Sequence, residues 1–190
     1  MAEAHPPEKA IVGYLGTADN RINIDLLEFC VKTMPEVIFQ FIGQVNEPQL
    51  TQRLAGYANV VFTASIPPAE LPAMLAKLSA AMIPFVCNEH TFTIYPLKIN
   101  EYLAAGLPVV STPFSPLDEF SGVIELANSP EGFANALRRA LADTSAQSIQ
   151  RRVAMARANA WERRAEEFEQ VIRQIPNAWL AVPEGEDKRN

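Results

Sequence analysis

The sequence has only two cysteines, no apolar run of membrane-spanning length and little positive charge. Cys30 and Cys87 lie in apolar stretches of the sequence without CxxC spacing, so they indicate neither a disulfide framework nor a cysteine-ligated metal site. We expect two buried free thiols in a reducing compartment. No uninterrupted stretch of about 18 apolar residues occurs, and the N-terminus MAEAHPPEK lacks the charged and apolar parts of a signal peptide. Together these absences predict a cytoplasmic protein.

Positive charge is scarce in most of the chain. Residues 1–150 contain 8 Lys and Arg against 15 Asp and Glu, whereas residues 151–190 contain 8 against 7. The larger part is therefore acidic and offers no basic stripe for a phosphodiester backbone. This charge distribution argues against nucleic-acid binding.

Several common nucleotide-binding and signalling motifs are also missing. The first apolar run continues as GYLGTADN, which is not the GxGxxG of a nicotinamide-binding domain, and no GxxxxGK[S/T] P-loop occurs. A receiver-like signalling domain would need a phosphoacceptor aspartate at the end of a strand, and NVVFTA and AMIPFV end without one. These three readings are therefore disfavoured.

Short apolar runs alternate with amphipathic segments along the first two thirds of the chain. With 190 residues, of which 48% are apolar, the chain is long enough to bury a core. Because the runs are too apolar to have a solvent-exposed face, they predict a mainly parallel sheet covered by helices on both sides, which is a doubly wound α/β fold. Strands are predicted at 9–17, 36–44, 59–63, 80–86, 107–112 and 122–127, and helices at 22–33, 48–55, 68–78 and 96–105.

The chain is predicted to be helical from Ser129 onward. In the last helix, Trp161, Ala165, Phe168, Ile172 and Ile175 fall on one face. We expect a flexible lead at 1–9, one Rossmann-like domain at 10–175 and a loosely ordered tail at 176–190.

The predicted ligand site lies beyond the carboxyl ends of the strands, where helix N-termini and loops converge. Of the cations in the acidic part of the chain, only Arg21 and Lys98 fall at this edge. Pro96 suits a first helical turn, which would leave the N–H groups of Leu97 and Lys98 to bind an anion at the positive end of the helix dipole. Glu101, one turn further on, is placed to accept hydrogen bonds from the vicinal hydroxyls of a ribose. A nucleoside diphosphate matches this arrangement.

Each of these features also has an ordinary structural interpretation. Lys98 and Glu101 are spaced i, i+3 and could form a surface ion pair worth a few tenths of a kcal/mol. Arg21 could be a solvated loop residue, and Gly16 and Gly43 could serve only to let the chain turn. The residues alone leave both interpretations open.

The string PLKINEYLAAGLPVVST, residues 96–112, closely resembles the donor-binding signature of GT-B glycosyltransferases, particularly retaining enzymes similar to family 4 that make bacterial surface polysaccharides. The resemblance extends over about residues 10–175 and includes IVGYLGTADNRINIDLLEFCVKTMPEVIFQFIGQV and NAWERRAEEFEQVI. It implies the C-terminal, nucleotide-sugar-binding domain of such an enzyme. The N-terminal acceptor domain would then belong to a longer chain or to a partner chain, and the full enzyme could associate peripherally with a membrane.

The family pattern also has two glutamates eight positions apart. Glu101 corresponds to the second, which holds the ribose, and Thr93 stands where the first would contact the donor sugar. Glu89 and His90 are close by in the same loop. This departure supports an alternative, in which the chain is a non-catalytic Rossmann-like interaction or regulatory module derived from the same fold.

The resemblance assigns the remaining site residues by position. Arg21 and Lys98 are the predicted catalytic residues, since the leaving diphosphate must be neutralised, and Lys98 is the first choice for that role. No DxD triplet, which holds a metal in GT-A glycosyltransferases, occurs, so a metal-independent site without a cofactor is implied. The other predicted donor-binding residues are Gly16 and Thr17 near the diphosphate, Leu97 at the helix start, and Gln44, Ser65, Ile66 and Leu71 near the base.

Overall fold

Six parallel strands form one sheet in the computed structural model, which describes residues 9–174. The strand order is β3-β2-β1-β4-β5-β6, and every neighbouring pair is parallel. The predicted α/β fold is confirmed. The strands are β1 (Ile11–Leu15), β2 (Ile38–Ile42), β3 (Val60–Thr63), β4 (Ala80–Ile83), β5 (Val109–Ser111) and β6 (Glu125–Leu126).

Helices connect and flank these strands. Several begin where the sequence supplies a capping side chain: Asn23 accepts the Leu26 N–H and Ser129 accepts the Gly132 N–H. Short 3₁₀ turns lie at Pro68–Glu70 and Asp118–Phe120. The helices are α1 (Ile24–Thr33), α2 (Pro48–Leu54), α3 (Leu71–Leu75), α4 (Glu89–Phe92), α5 (Leu97–Ala104), α6 (Pro130–Ala142), α7 (Ala146–Ala158) and α8 (Trp161–Gln174).

Two differences between the prediction and the structure have a local cause. The last strand is only Glu125–Leu126 rather than 122–127, since the chain still turns at Gly122, where φ is +73°. Helix α4 was not predicted, because a four-residue helix is too short to show a periodic pattern. It is fixed by a reciprocal cap in which Asn88 and Thr91 each accept the backbone N–H of the other.

The two cysteines have different environments. Cys30 is fully buried on α1, and burial raises the pKa of its thiol to about 12, as expected for an inert core thiol. Cys87 is exposed, so its predicted burial was wrong. Strand β4 ends at Ile83, and the chain has left the apolar core by the time it reaches Cys87.

The strand order reverses between β1 and β4, which creates a crevice at their carboxyl ends. The loop after β1 is held on both sides of this crevice by backbone hydrogen bonds. The Ala18 N–H donates to the Gln44 carbonyl at 2.8 Å, and the Val86 N–H donates to the Arg21 carbonyl at 2.7 Å. Loop residues 16–23 therefore have a fixed backbone next to the crevice.

The described chain divides into two compact units, one ending at Arg157 and the other beginning at Ala158. Taken by itself, α8 is amphipathic: Trp161 is 74% exposed and Phe168 is 68% exposed, while its polar side carries ion pairs such as Arg173 with Glu169. The predicted face also included Ile175, which lies outside the described residues, as does the predicted tail. Within residues 9–174, no helix combines the length and apolar character needed to cross a membrane.

Candidate functional site

A cavity of about 220 Å³ opens at the carboxyl ends of the central strands, between the loop after β1 and the start of α5. Arg21 and Lys98, the two cations predicted to lie at this edge, both line it. The rest of the wall is mostly apolar, so a charge inside is partly shielded from water and its interactions are strengthened. The other lining residues are Ile83, Phe85, Ile94, Tyr95, Pro96, Leu97 and Phe114.

The end of the Lys98 side chain lies directly over Gly16. A Cβ atom built on Gly16 would come within 2.4 Å of Lys98 Cε and 2.9 Å of its Nζ. Only a residue without a side chain leaves that space, and Gly16 also has a φ of +123°. The ammonium group is thus held at the end of β1, where the sequence predicted an anion.

Lys98 has no carboxylate partner within the described residues. The surface ion pair between Lys98 and Glu101, which was the ordinary interpretation of their spacing, does not form. Glu101 is exposed and is not among the residues that line the cavity. Its predicted contact with a ribose remains a prediction.

The glycine after β2 supports the same close packing. Gly43 has a φ of +137°, and a Cβ atom there would lie 2.4 Å from the carbonyl oxygen of Gly16. Its contact is with backbone, which cannot move aside as a flexible side chain can. Gly16 and Gly43 therefore do more than let the chain turn, because they allow two strand ends and a lysine to meet.

Helix α5 is anchored to β1 by a buried tyrosine. The Leu15 N–H donates to the Tyr102 hydroxyl oxygen at 2.8 Å, and Tyr102 is fully buried. Only Val12 and Gly13 of β1 pair with β4. The Leu15 N–H therefore donates to the Tyr102 side chain rather than to a strand carbonyl. Burial raises the pKa of the Tyr102 phenol, which keeps it neutral. Since Tyr102 is one turn beyond Lys98, this bond fixes the lysine over the strand end.

Replacing Tyr102 with phenylalanine is expected to lower the free energy of unfolding by about 1–3 kcal/mol, because the buried Leu15 N–H loses its acceptor. Urea denaturation of both proteins measures this difference. Tyr57→Phe is the control, because the Tyr57 hydroxyl bonds to Glu28 Oε1 in a partly exposed position and its loss should cost less. Equal stability of Tyr102→Phe and the unmodified protein would show that the bond does not hold α5.

Arg21 is paired with a carboxylate that the sequence interpretation missed. Its Nε and Nη2 donate to Asp19 Oδ1 and Oδ2, each at 2.7 Å, and its guanidinium carbon lies 5.2 Å from the centre of the Phe85 ring. These hydrogen bonds lower the pKa of the Asp19 carboxyl and raise that of the Arg21 guanidinium. Arg21 therefore lines the cavity as half of a neutral pair. The signal in the sequence was an acidic and a basic residue two positions apart in a polar loop.

The start of α5 also differs from the prediction. The helix begins at Leu97, and Pro96 precedes it as the capping residue with a non-helical ψ of 63°. The Leu97 N–H donates to the Tyr95 carbonyl at 3.0 Å, so it is not available to an anion as predicted. The Lys98 side chain, rather than the Leu97 N–H, is the observed polar feature of this helix end.

The loop residues proposed to contact the sugar lie outside the cavity. Glu89 and His90 are exposed on α4. Thr93 ends that helix, is exposed, and donates its hydroxyl to the His90 carbonyl at 2.9 Å. Ile94 and Tyr95, which follow this helix, do line the cavity, although neither was predicted to bind the donor.

The residues proposed to lie near the base are at the same edge of the sheet, beyond β2 and β3. Gln44 and Ser65 are exposed, and Ile66 is half-buried against the core. Thr17 is half-buried after β1, and its carbonyl accepts a bond from the Tyr14 hydroxyl at 2.9 Å. None of these four lines the cavity, and neither does Leu71, which begins α3.

No group of three or more His, Cys, Asp and Glu side chains suited to a metal ion is found in residues 9–174.

The sequence matches the family model described as glycosyl transferases group 1 over residues 9–143. It is also 26% identical over 107 residues to TuaH of Bacillus subtilis (strain 168), a protein that carries the name of a teichuronic acid biosynthesis glycosyltransferase. That match covers 55% of this chain and 27% of the Bacillus protein. This chain thus matches only part of its relative's length.

Solved structures with the same fold include an alpha,alpha-trehalose-phosphate synthase (UDP-forming) from Burkholderia vietnamiensis. It superimposes with a TM-score of 0.71 at 16% identity over 92% of this chain and 46% of that one. AviGT4, a glycosyltransferase involved in Avilamycin A biosynthesis, gives a TM-score of 0.62 at 16% identity over 88% of this chain and 52% of that one. The chain therefore spans about half the length of these structures, and at such identities the likeness concerns the fold.

Proposed function

Since the chain belongs to the glycosyl transferases group 1 family, we propose that it is the donor-binding half of an enzyme that transfers a sugar from a nucleotide diphosphate sugar to an acceptor. The observation that carries this proposal is Lys98, whose ammonium is held over Gly16 without a carboxylate partner among the described residues and which lines a cavity at the topological switch point. Ligands of doubly wound sheets bind at this position. The name of the Bacillus relative favours polysaccharide or glycoconjugate synthesis as the setting.

The proposed role of Lys98 follows from the charge that develops in the reaction. When the bond between the anomeric carbon and the diphosphate oxygen breaks, negative charge grows on that oxygen. A positioned cation in an apolar cavity stabilises this charge more than water does. Lys98 is therefore the proposed catalytic residue. Arg21, whose charge is balanced by Asp19, is proposed to contact the same part of the donor.

The size of the cavity limits what it encloses. Its volume of about 220 Å³ is below the roughly 300–1,000 Å³ of sites that enclose a whole drug-sized ligand. The cavity is therefore proposed to take the diphosphate and the adjoining groups, with the base lying toward Gln44 and Ser65. The part of the site that binds the sugar would be completed by an acceptor domain from a longer chain or a partner chain. A cytoplasmic location and catalysis without a metal belong to the same proposal.

Calorimetric titration of the chain with UDP-, GDP- and dTDP-sugars tests this proposal. We expect one base to be preferred. Binding should be detectable in the micromolar to millimolar range, because this domain supplies only half of the proposed site. Absence of binding by every sugar nucleotide at millimolar concentration would contradict donor binding. Adenosine monophosphate serves as a control for nonspecific nucleotide binding.

A second candidate is a non-catalytic module of the same fold. It is favoured by the positions of Thr93 and Glu101, which are exposed and do not line the cavity. The two candidates differ in a direct assay. A protein that contains this chain together with an acceptor domain should release nucleoside diphosphate from a sugar nucleotide if the first is right, and should bind without release if the second is.

A further inference from the structure

The charges around the cavity cancel only in part. Lys98 and Arg21 line it with one positive charge each, and Asp19 contributes one negative charge through its two bonds to Arg21. Among the described residues this leaves a single net positive charge at the cavity wall. A site built only to bind the most highly charged phosphate would gain by leaving Arg21 unpaired.

The negative charge of Asp19 is not required by the shape of its loop. Asp19 Oδ1 accepts the Arg21 backbone N–H at 3.1 Å, a turn that an asparagine side chain also forms. The Ile22 N–H donates to the Asp19 carbonyl at 3.0 Å, and the Val86 N–H donates to the Arg21 carbonyl at 2.7 Å. The backbone of the loop is therefore held by bonds that do not depend on the carboxylate charge.

What the charge does is neutralise Arg21 while Arg21 stays in the wall of the cavity. The side chains of Asp19 and Arg21 are only 27% and 24% exposed, so water screens the pair less than it would a fully exposed one. The guanidinium is also stacked on Phe85, which limits its movement. The effect of Asp19 on an anion in the cavity is therefore electrostatic and local.

We propose that Asp19 is a specificity-determining residue that matches the charge of the site to the sugar nucleotide and disfavours the nucleoside diphosphate. This inference rests on the proposed function. A nucleoside diphosphate has a terminal phosphate that carries up to one more negative charge than the same phosphate esterified to a sugar. Because Asp19 repels both ligands in proportion to their charge, it weakens binding of the product more than binding of the donor.

The test is to titrate Asp19→Asn with each nucleoside diphosphate and its sugar nucleotide. The variant should bind the diphosphate about tenfold more tightly than the unmodified protein, and the sugar nucleotide only about threefold more tightly, because one unit of repulsion is removed. The affinity of the variant should also fall more steeply with added salt. A loop that was merely distorted would weaken both ligands and would not grade them by charge.

Two further variants separate charge from structure. Glu36→Gln makes the same change in net charge at an exposed position before β2, at the opposite edge of the sheet, and should leave both affinities unchanged. The double variant Asp19→Asn with Arg21→Gln again has no net charge at these two positions and should bring the ratio of the two affinities back toward the original, with both affinities lower because the contact of Arg21 is lost. If Asp19→Asn does not fold, Asp19→Ser, which also accepts the loop N–H, is expected to give the same graded gain.

The outcomes distinguish this inference from the function on which it rests. If the unmodified protein binds a sugar nucleotide and Asp19→Asn binds the diphosphate equally or more weakly, the role of Asp19 is overturned and donor binding stands. If neither protein binds any nucleotide, the proposed function fails and the role of Asp19 fails with it.

Discussion

Replacing Lys98 with alanine is expected to weaken binding of a sugar nucleotide about 10- to 100-fold and to leave the thermal unfolding midpoint unchanged. The ammonium is the one cation at the cavity without a carboxylate partner among the described residues, and a hydrogen bond from a charged donor contributes about 1.5–3 kcal/mol. Stability should not change, since Lys98 makes no ion pair that its removal could break. Calorimetric titration and a thermal melt measure the two quantities.

The control for this prediction is Lys77→Ala, which removes an exposed lysine between α3 and β4. It changes the net charge by the same amount away from the cavity and should not alter affinity. In an enzyme that also contains the acceptor domain, Lys98→Ala should lower kcat by about 100- to 1,000-fold, the usual effect of removing one fixed donor from a developing negative charge. Unaltered affinity would make Lys98 an ordinary surface residue.

Gly16→Ala is expected to have an effect on binding as large as that of Lys98→Ala, and to lower stability as well. The new Cβ atom would lie 2.4 Å from Lys98 Cε, so the flexible lysine side chain must move off the end of β1. Position 16 also has a φ of +123°, which is strained for any residue with a side chain and costs about 1–3 kcal/mol. Urea denaturation measures the stability loss, and titration measures the lost affinity.

Two other glycines separate strain from the contact with Lys98. Gly122 has a positive φ of +73° but open space around it, so Gly122→Ala should lower the stability of the protein without lowering its nucleotide affinity. Gly56→Ala has open space and no positive φ, and should change neither. In the double variant Gly16→Ala with Lys98→Ala the losses of affinity should not add, since both act on the same ammonium. Additive losses would show that Gly16 acts independently of Lys98.

The fold could largely be predicted from the sequence because buried parallel strands are continuous apolar runs. The residues of β4, Ala80–Ile83, are all buried, which is the pattern the sequence showed. The exceptions are local. Helix α4 depends on one cap between Asn88 and Thr91, and the exposure of Cys87 depends on where the chain leaves the sheet, so neither gives a periodic signal.

The site was predicted less completely, for a reason that is visible in α5. Ile99, Tyr102 and Leu103 are buried against the rest of the domain and so fix the rotation of the helix. That rotation places Lys98 at the cavity and leaves Glu101, one turn away in sequence, exposed and outside its lining. Helical spacing gives the angle between two side chains, whereas packing decides which of them faces the ligand.

The sequence by itself determined the doubly wound α/β architecture and the two cations, Arg21 and Lys98, at the carboxyl edge of the sheet. It could do so because strand burial and chain order are properties of local pattern. Only the tertiary structure decided which of the two charges is balanced by a carboxylate: Asp19 lies against Arg21, while Gly16 gives Lys98 a place without a carboxylate. Charge pairing depends on contacts within about 4 Å, and those distances are set by the way the loops and helix α5 pack together.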